Sequence, residues 1–133
     1  MTGKIHTLTA EEIEIFNRGT EDPNITLGYL FSRPGTDSKF QLDYNFTETG
    51  KWQKKFCMAS ETFIVVVAGI GTGKTLAAGM SAFYHGIQTP GFKFLNIARE
   101  SWQSQLMWSL ILENVEGTNA EKFITSYPKR PYP

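Results

Sequence analysis

Residues Ala68-Gly69-Ile70-Gly71-Thr72-Gly73-Lys74-Thr75, AGIGTGKT, follow directly on the apolar run Phe63-Ile64-Val65-Val66-Val67. Their reading decides the fold that the sequence predicts. A phosphate needs positive potential at short range with no bulky side chain in the way. A glycine loop opening a helix supplies both, because unpaired backbone N–H groups and the helix dipole converge there. On this reading Gly69, Gly71 and Gly73 let the backbone approach the anion, Lys74 reaches the β- and γ-phosphates, and the Thr75 hydroxyl holds Mg²⁺. The whole stretch from Ala68 through Ile70 and Thr72 to Thr75 is then the site for ATP and Mg²⁺, with Lys74 and Thr75 also serving catalysis. The bland alternative is a glycine-rich turn that happens to contain Gly-Lys-Thr. What flanks the loop argues against it.

Upstream, the β-branched run 63–67 has the composition of a strand buried on both faces of a parallel sheet. Downstream, Lys74 to about His85 is rich in helix formers and ends at Gly86. Pro90-Gly91 turns the chain into a second apolar run, Phe92 to Ala98. Ser101 is placed to cap a further helix with Trp102, Leu106, Leu110 and Val115 as its apolar stripe, stopped by Gly117. Thr118 and Glu121 have the spacing of a capping box for a short helix through Phe123. Strand, glycine loop, helix, strand, helix predicts an α/β unit with a right-handed crossover, a parallel sheet flanked by helices of the P-loop NTPase, RecA-like kind. Only two core strands are visible, so the sheet is expected to be incomplete within this chain.

The first part of the sequence is less regular. Thr9 and Glu12 form a capping box for a helix running to about Arg18 and stopping at Gly19, with Leu8 and Ile13 spaced for a hydrophobic staple. Lys39 to Phe46 alternates polar and apolar residues, the period of a half-buried strand that could pair with 25–31, or else an aromatic-rich loop on the core. Lys51 to Ala59 reads as a short helix with Trp52 and Phe56 four apart. This divides the chain into an N-terminal helix and aromatic-rich lead-in, 1–50, and the first part of an ATPase domain, 51–133.

Composition narrows the class. The chain has 133 residues, the size of one ordinary domain. Thirteen basic and thirteen acidic residues cancel, so the global field argues for no particular partner. Cys57 is the single cysteine, which excludes an internal disulfide and fits a reducing compartment. The N-terminus lacks the apolar core of a signal peptide, and no apolar run is long enough to span a bilayer, so a soluble intracellular chain is predicted.

A triphosphatase also needs an acid to complete the magnesium site and orient water. Leu110-Ile111-Leu112-Glu113 imitates an apolar strand ending in Glu, but it lies within a helical stripe. Glu100 follows the second apolar run, where a solvated helix-start charge is the simpler role. Gln53 lies twenty residues before Gly73, where an amide can read adenine as donor and acceptor together; a surface helix glutamine is the plain alternative. Arg99, at the end of the second run, fits a solvated or salt-bridged role better than a ligand contact, and His6 and His85 have no partners at metal-ligand spacing.

Trp52-Gln53, FIVVVAGIGTGKTLAAGM, TPGFKFLNIARESWQSQ and the closing SYPKRPYP together resemble the N-terminal part of the ATPase domain in large terminase subunits of tailed bacteriophages. The resemblance covers about residues 45–133. It implies a motor that hydrolyses ATP to drive double-stranded DNA into the procapsid in the cytoplasm of an infected bacterial host. It further implies a portal protein and a small terminase subunit as partners, a homo-oligomeric ring, and a separate nuclease domain. Carried over by position, Lys74 and Thr75 match the phosphate and magnesium residues and Gln53 the adenine contact. Ile70 departs from the arginine many terminases carry there, and the acid-bearing strand would lie beyond Pro133. Two other readings stand beside this one: the first motor domain of a helicase, and a nucleotide-binding, non-hydrolysing assembly protein.

Overall fold

A computed structural model describes residues 5–36, 40–44 and 46–125. Five α-helices carry the fold: α1 (Ala10–Gly19), α2 (Pro23–Leu30), α3 (Gln53–Met58), α4 (Lys74–Gln88) and α5 (Ser101–Val115). Two 3₁₀ turns, Glu48–Gly50 and Asn119–Phe123, complete the regular structure among the described residues. Among the described residues there is no strand. The α/β parallel sheet predicted from the sequence, with its crossover, is therefore corrected to a helical fold.

The reason lies in what a strand requires. An extended apolar run becomes a strand only when a neighbouring backbone takes its N–H and C=O groups, and residues 63–67 and 92–97 have no such ladder. Far from being buried on both faces, Phe63, Val65 and Val67 are 89, 86 and 93% exposed. Phe94, Leu95 and Ile97 are exposed as well. β-branched composition signals compatibility with a sheet, not the presence of its partners.

The helices form where local signals and packing agree. Thr9 caps α1, its Oγ1 accepting from Glu12 N at 3.2 Å while Thr9 N donates to Glu12 Oε2 at 3.1 Å. The expected staple is not packed, since Leu8 and Ile13 are both exposed. Asp22 caps α2 by accepting from Asn24 N, and Pro23 opens it, so residues 25–31 are helix and helix end rather than a strand. Leu42 is buried while Tyr44 is 74% exposed, which breaks the alternation expected across 39–46. At α5 the expected Ser101 cap is replaced by Glu100, paired with Gln103 in a capping box. The buried face there carries Ile111 and Val115, with Trp102 and Leu106 turned outward. The short helix expected through Phe123 is the 3₁₀ turn Asn119–Phe123, with Thr118 at its N-cap but without the side-chain bond of a capping box; the Thr118 hydroxyl donates to Val115 O instead. The closing SYPKRPYP lies outside the described residues.

The core joins Phe16, Leu27, Leu30, Leu42, Cys57, Met80, Tyr84, Ile111, Val115 and Ala120, so all five helices contribute to it or border it. Polar ties lock its edges. Tyr84 OH donates to Gly19 O at 2.7 Å, and Gln88 Nε2 donates to Phe16 O and to Thr26 Oγ1. These bonds pin the C-terminal half of α4 against α1 and α2. The N-terminal end of α4 is left at the surface, carrying the glycine loop.

Candidate functional site

The loop 68–73 leads straight into α4, whose N-cap is Gly73. Gly71 and Gly73 both have φ 78°, a left-handed conformation that a side chain would strain. Two glycines of the motif are therefore required by backbone geometry, while Gly69 is not at positive φ. Thr72 Oγ1 donates to Gly69 O at 2.7 Å and closes the turn. The Lys74 ammonium folds back over the loop, donating to Ala68 O and, at 2.9 Å, to Gly69 O. Thr75 and Ile70 are exposed. The first N–H groups of α4 have no partner within the helix.

The loop forms one wall of a cleft of about 680 Å³, a size suited to a small ligand. Ile70, Gly71, Thr72, Gly73, Lys74 and Thr75 line it on one side; Leu106, Ser109, Leu110 and Glu113 of α5 line the other. Glu113 is thus a helix residue, as its stripe predicts, yet it borders the same cleft as Lys74 and Thr75. Periodicity classified the element correctly and still concealed the proximity, which depends on how α5 packs on α4. That packing is close because Gly79 of α4 has no side chain: a Cβ there would lie 3.3 Å from Ile111 Cγ1.

Gln53 is buried beneath the loop, 4% exposed. Its Nε2 donates to Gly73 O at 3.1 Å and its Oε1 accepts from Asp43 N at 2.9 Å. Asp43, which sequence reasoning missed, has φ 64° and is 6% exposed. Its carboxylate accepts from the backbone N–H groups of Trp52, Gln53 and Lys54 at 3.0, 2.8 and 3.0 Å. The polar–apolar alternation of 39–46, read as a strand or an aromatic-rich loop, hid it; an aspartate between bulky residues in a turn was the available signal.

The fit of a triphosphate with Mg²⁺ can be judged on these residues. The loop offers two left-handed glycines, orphan helix N–H groups and a lysine whose ammonium is bonded to the Ala68 and Gly69 carbonyls. Thr75 would contribute a hydroxyl to Mg²⁺, which keeps several waters and needs few protein ligands. Among the described residues no three His, Cys, Asp or Glu side chains gather as a metal site of their own. Glu100 caps α5 and Arg99 is exposed; neither lines the cleft. His85 Nε2 donates to Cys57 O at 2.8 Å and His6 to Glu12, which gives both histidines structural partners. Cys57 is fully buried, and burial pushes its thiol up to about 11, well away from a reactive thiolate.

No helix among the described residues is long and apolar enough to cross a membrane. No family model matches the chain, and no curated protein or solved structure matches it significantly.

Proposed function

We propose that residues 68–75 bind the phosphates of a nucleoside triphosphate with Mg²⁺, and that the chain serves a DNA-packaging ATPase of the large terminase kind. The observation that carries the binding reading is the conformation of Gly71 and Gly73, both left-handed, at the start of a fifteen-residue helix that begins with Lys74. The packaging reading rests on the flanking phrases of sequence, with ATP as the nucleotide and with double-stranded DNA, a portal, a small subunit and a ring of copies as the partners that resemblance implies.

In binding, the chain's own groups divide the work. The N–H groups of the loop and of the first turn of α4 receive the anion, and Lys74 exchanges its bonds to Ala68 O and Gly69 O for phosphate oxygens. The Thr75 hydroxyl would hold the metal, and a bound Mg²⁺ would supply neutralisation of phosphate charge. Glu113, on the facing wall, is the carboxylate that lines this cleft.

A non-hydrolysing assembly protein is the second reading, favoured by the exposed position of Glu113 on a helix rather than at a rigid strand end. Lys74→Ala tests the binding claim. Charge-assisted hydrogen bonds contribute about 1.5–3 kcal/mol, so affinity for ATP–Mg²⁺ should fall roughly 10- to 100-fold by calorimetric titration, with the melting curve preserved. Unchanged affinity would defeat the cradle reading. Phosphate release measured on the same samples bears on the second reading: turnover favours the ATPase and defeats the non-hydrolysing assembly protein.

A further inference from the structure

Gln53 occupies the position at which the sequence suggests an adenine contact. To read adenine, a carboxamide must present a donor and an acceptor to the base together. In the structure its oxygen accepts from Asp43 N and its nitrogen donates to Gly73 O, within a side chain that is 4% exposed. The amide is already committed at both ends.

What it is committed to is informative. Gly73 O accepts twice, from Gln53 Nε2 and, as the first helical bond of α4, from Ala77 N at 2.9 Å. The Gly73 peptide is where the loop becomes helix, so fixing its carbonyl fixes the direction of the N–H groups that follow. The fit is close, since a Cβ at Gly73 would come within 2.6 Å of Gln53 Nε2. Gln53 is held in turn from the other side. Asp43 spends its whole carboxylate on the N–H groups of residues 52, 53 and 54 and its own N–H on Gln53 Oε1. It does so from a left-handed backbone, which aspartate and asparagine tolerate better than other side chains. A buried, strained, fully bonded aspartate is a costly way to cap a six-residue helix unless that helix must hold something in place.

We propose that Gln53, braced by Asp43, is a positioning residue for the glycine loop: the pair sets the Gly73 peptide for triphosphate binding and does not read the base. The proposal rests on the assignment of phosphate binding to residues 68–75. Its consequence is a site whose affinity comes from the polyphosphate, with adenine and guanine nucleotides treated alike by Gln53.

The test is calorimetric titration of the 133-residue chain with Mg²⁺ and, in turn, ATP, GTP and inorganic tripolyphosphate, using the wild type, Gln53→Ala, Asp43→Ala and Asp43→Asn. Gln53→Ala should weaken all three ligands by one common factor, about 3- to 10-fold, the worth of one buried hydrogen bond. Asp43→Ala should do the same. Asp43→Asn, which keeps one acceptor oxygen for the Trp52 and Gln53 N–H groups, its own N–H and tolerance of positive φ, but turns a donor towards Lys54 N–H, should recover part of the loss. Amide hydrogen exchange at Ala77, whose N–H donates to Gly73 O, should quicken in Gln53→Ala relative to the C-terminal half of α4, a readout independent of any ligand. A loss confined to ATP would overturn the proposal in favour of base reading. Equal affinities and unchanged exchange would make Gln53 a bystander. Should the wild type bind none of the three ligands, the phosphate reading itself fails, a result distinct from wild-type binding that Gln53→Ala leaves intact.

Discussion

Replacing Glu12 with glutamine removes the charge around which the N-terminal segment, α1, α2 and the last 3₁₀ turn meet. The carboxylate is 1% exposed. It accepts from His6 Nε2 at 2.7 Å, Tyr29 OH at 2.7 Å and Thr9 N at 3.1 Å, and it pairs with the Lys122 ammonium, which also donates to Tyr29 OH at 2.8 Å. Burial alone would raise the Glu12 pKa, but the bonds from Lys122, Tyr29, His6 and Thr9 together outweigh it and hold the carboxyl down at about 2. Removing one partner of a buried ion pair costs on the order of 3–5 kcal/mol when the other charge is stranded. Here the Lys122 side chain is 35% exposed and can return to water, so the cost falls below that range, at about 2–3 kcal/mol. For a chain of this length that lowers Tm by roughly 6–15 °C at pH 7. The pH dependence has a definite sign. Because the folded pKa lies below the ordinary 4.5, the stabilisation is fully present above about 4.5 and is lost as pH falls towards 2. The gap in Tm between wild type and Glu12→Gln, followed by circular dichroism, should therefore be widest near neutrality and close progressively below pH 4.5. A variant melting within about 1 °C of the wild type at pH 7, or a gap constant down to pH 2, would refute the reasoning.

Two further outcomes follow from packing. Gly19→Ala should destabilise the chain by about 1–3 kcal/mol, because its Cβ would lie 1.7 Å from Thr26 Oγ1, a core contact that must shift; wild-type melting behaviour would contradict the close approach of α1 and α2. Cys57 should resist a thiol reagent at pH 8 in the native state and react readily in denaturant, since it is fully buried and its thiol is raised to about 11; native labelling at the denatured rate would contradict its burial.

What was legible in the sequence was local. The Thr9–Glu12 capping box and the helix starting at Lys74 depend on residues within a few positions of one another, and both are realised. Helix α4 even runs through Gly86, where the sequence suggested a stop, because Gln88 gains tertiary bonds to Phe16 and Thr26 that offset the glycine. What was not legible was partnership. The runs 63–67 and 92–97 have the composition of strands, but a ladder is a property of two segments and neither run states its partner. Asp43 was illegible for a similar reason: its three bonds reach nine to eleven residues along the chain, and its left-handed φ breaks the alternation that suggested a strand. Glu113 was assigned to the right element, and its place in the cleft appears only once Gly79 lets α5 approach α4.

The loop's geometry has a source within the helical layer. In a sheet-based cradle the strand before the loop would be its anchor, yet here residues 63–67 are extended and exposed and offer no such support. The anchoring comes from the far end and from below. Tyr84 and Gln88 fix α4 to α1 and α2, and Met80, fully buried, fixes its middle in the core. Gln53 then ties the N-cap of that helix, through Gly73 O, to α3 and Asp43. Within the loop itself Thr72 and Lys74 satisfy the carbonyls of Ala68 and Gly69. Among the described residues these polar ties on the loop are either internal to residues 68–74 or made through α3, α4 and Asp43. Phosphate binding by the loop and the absence of a described sheet are therefore compatible, because the bonds that set Gly71, Gly73 and Lys74 in place do not pass through residues 63–67.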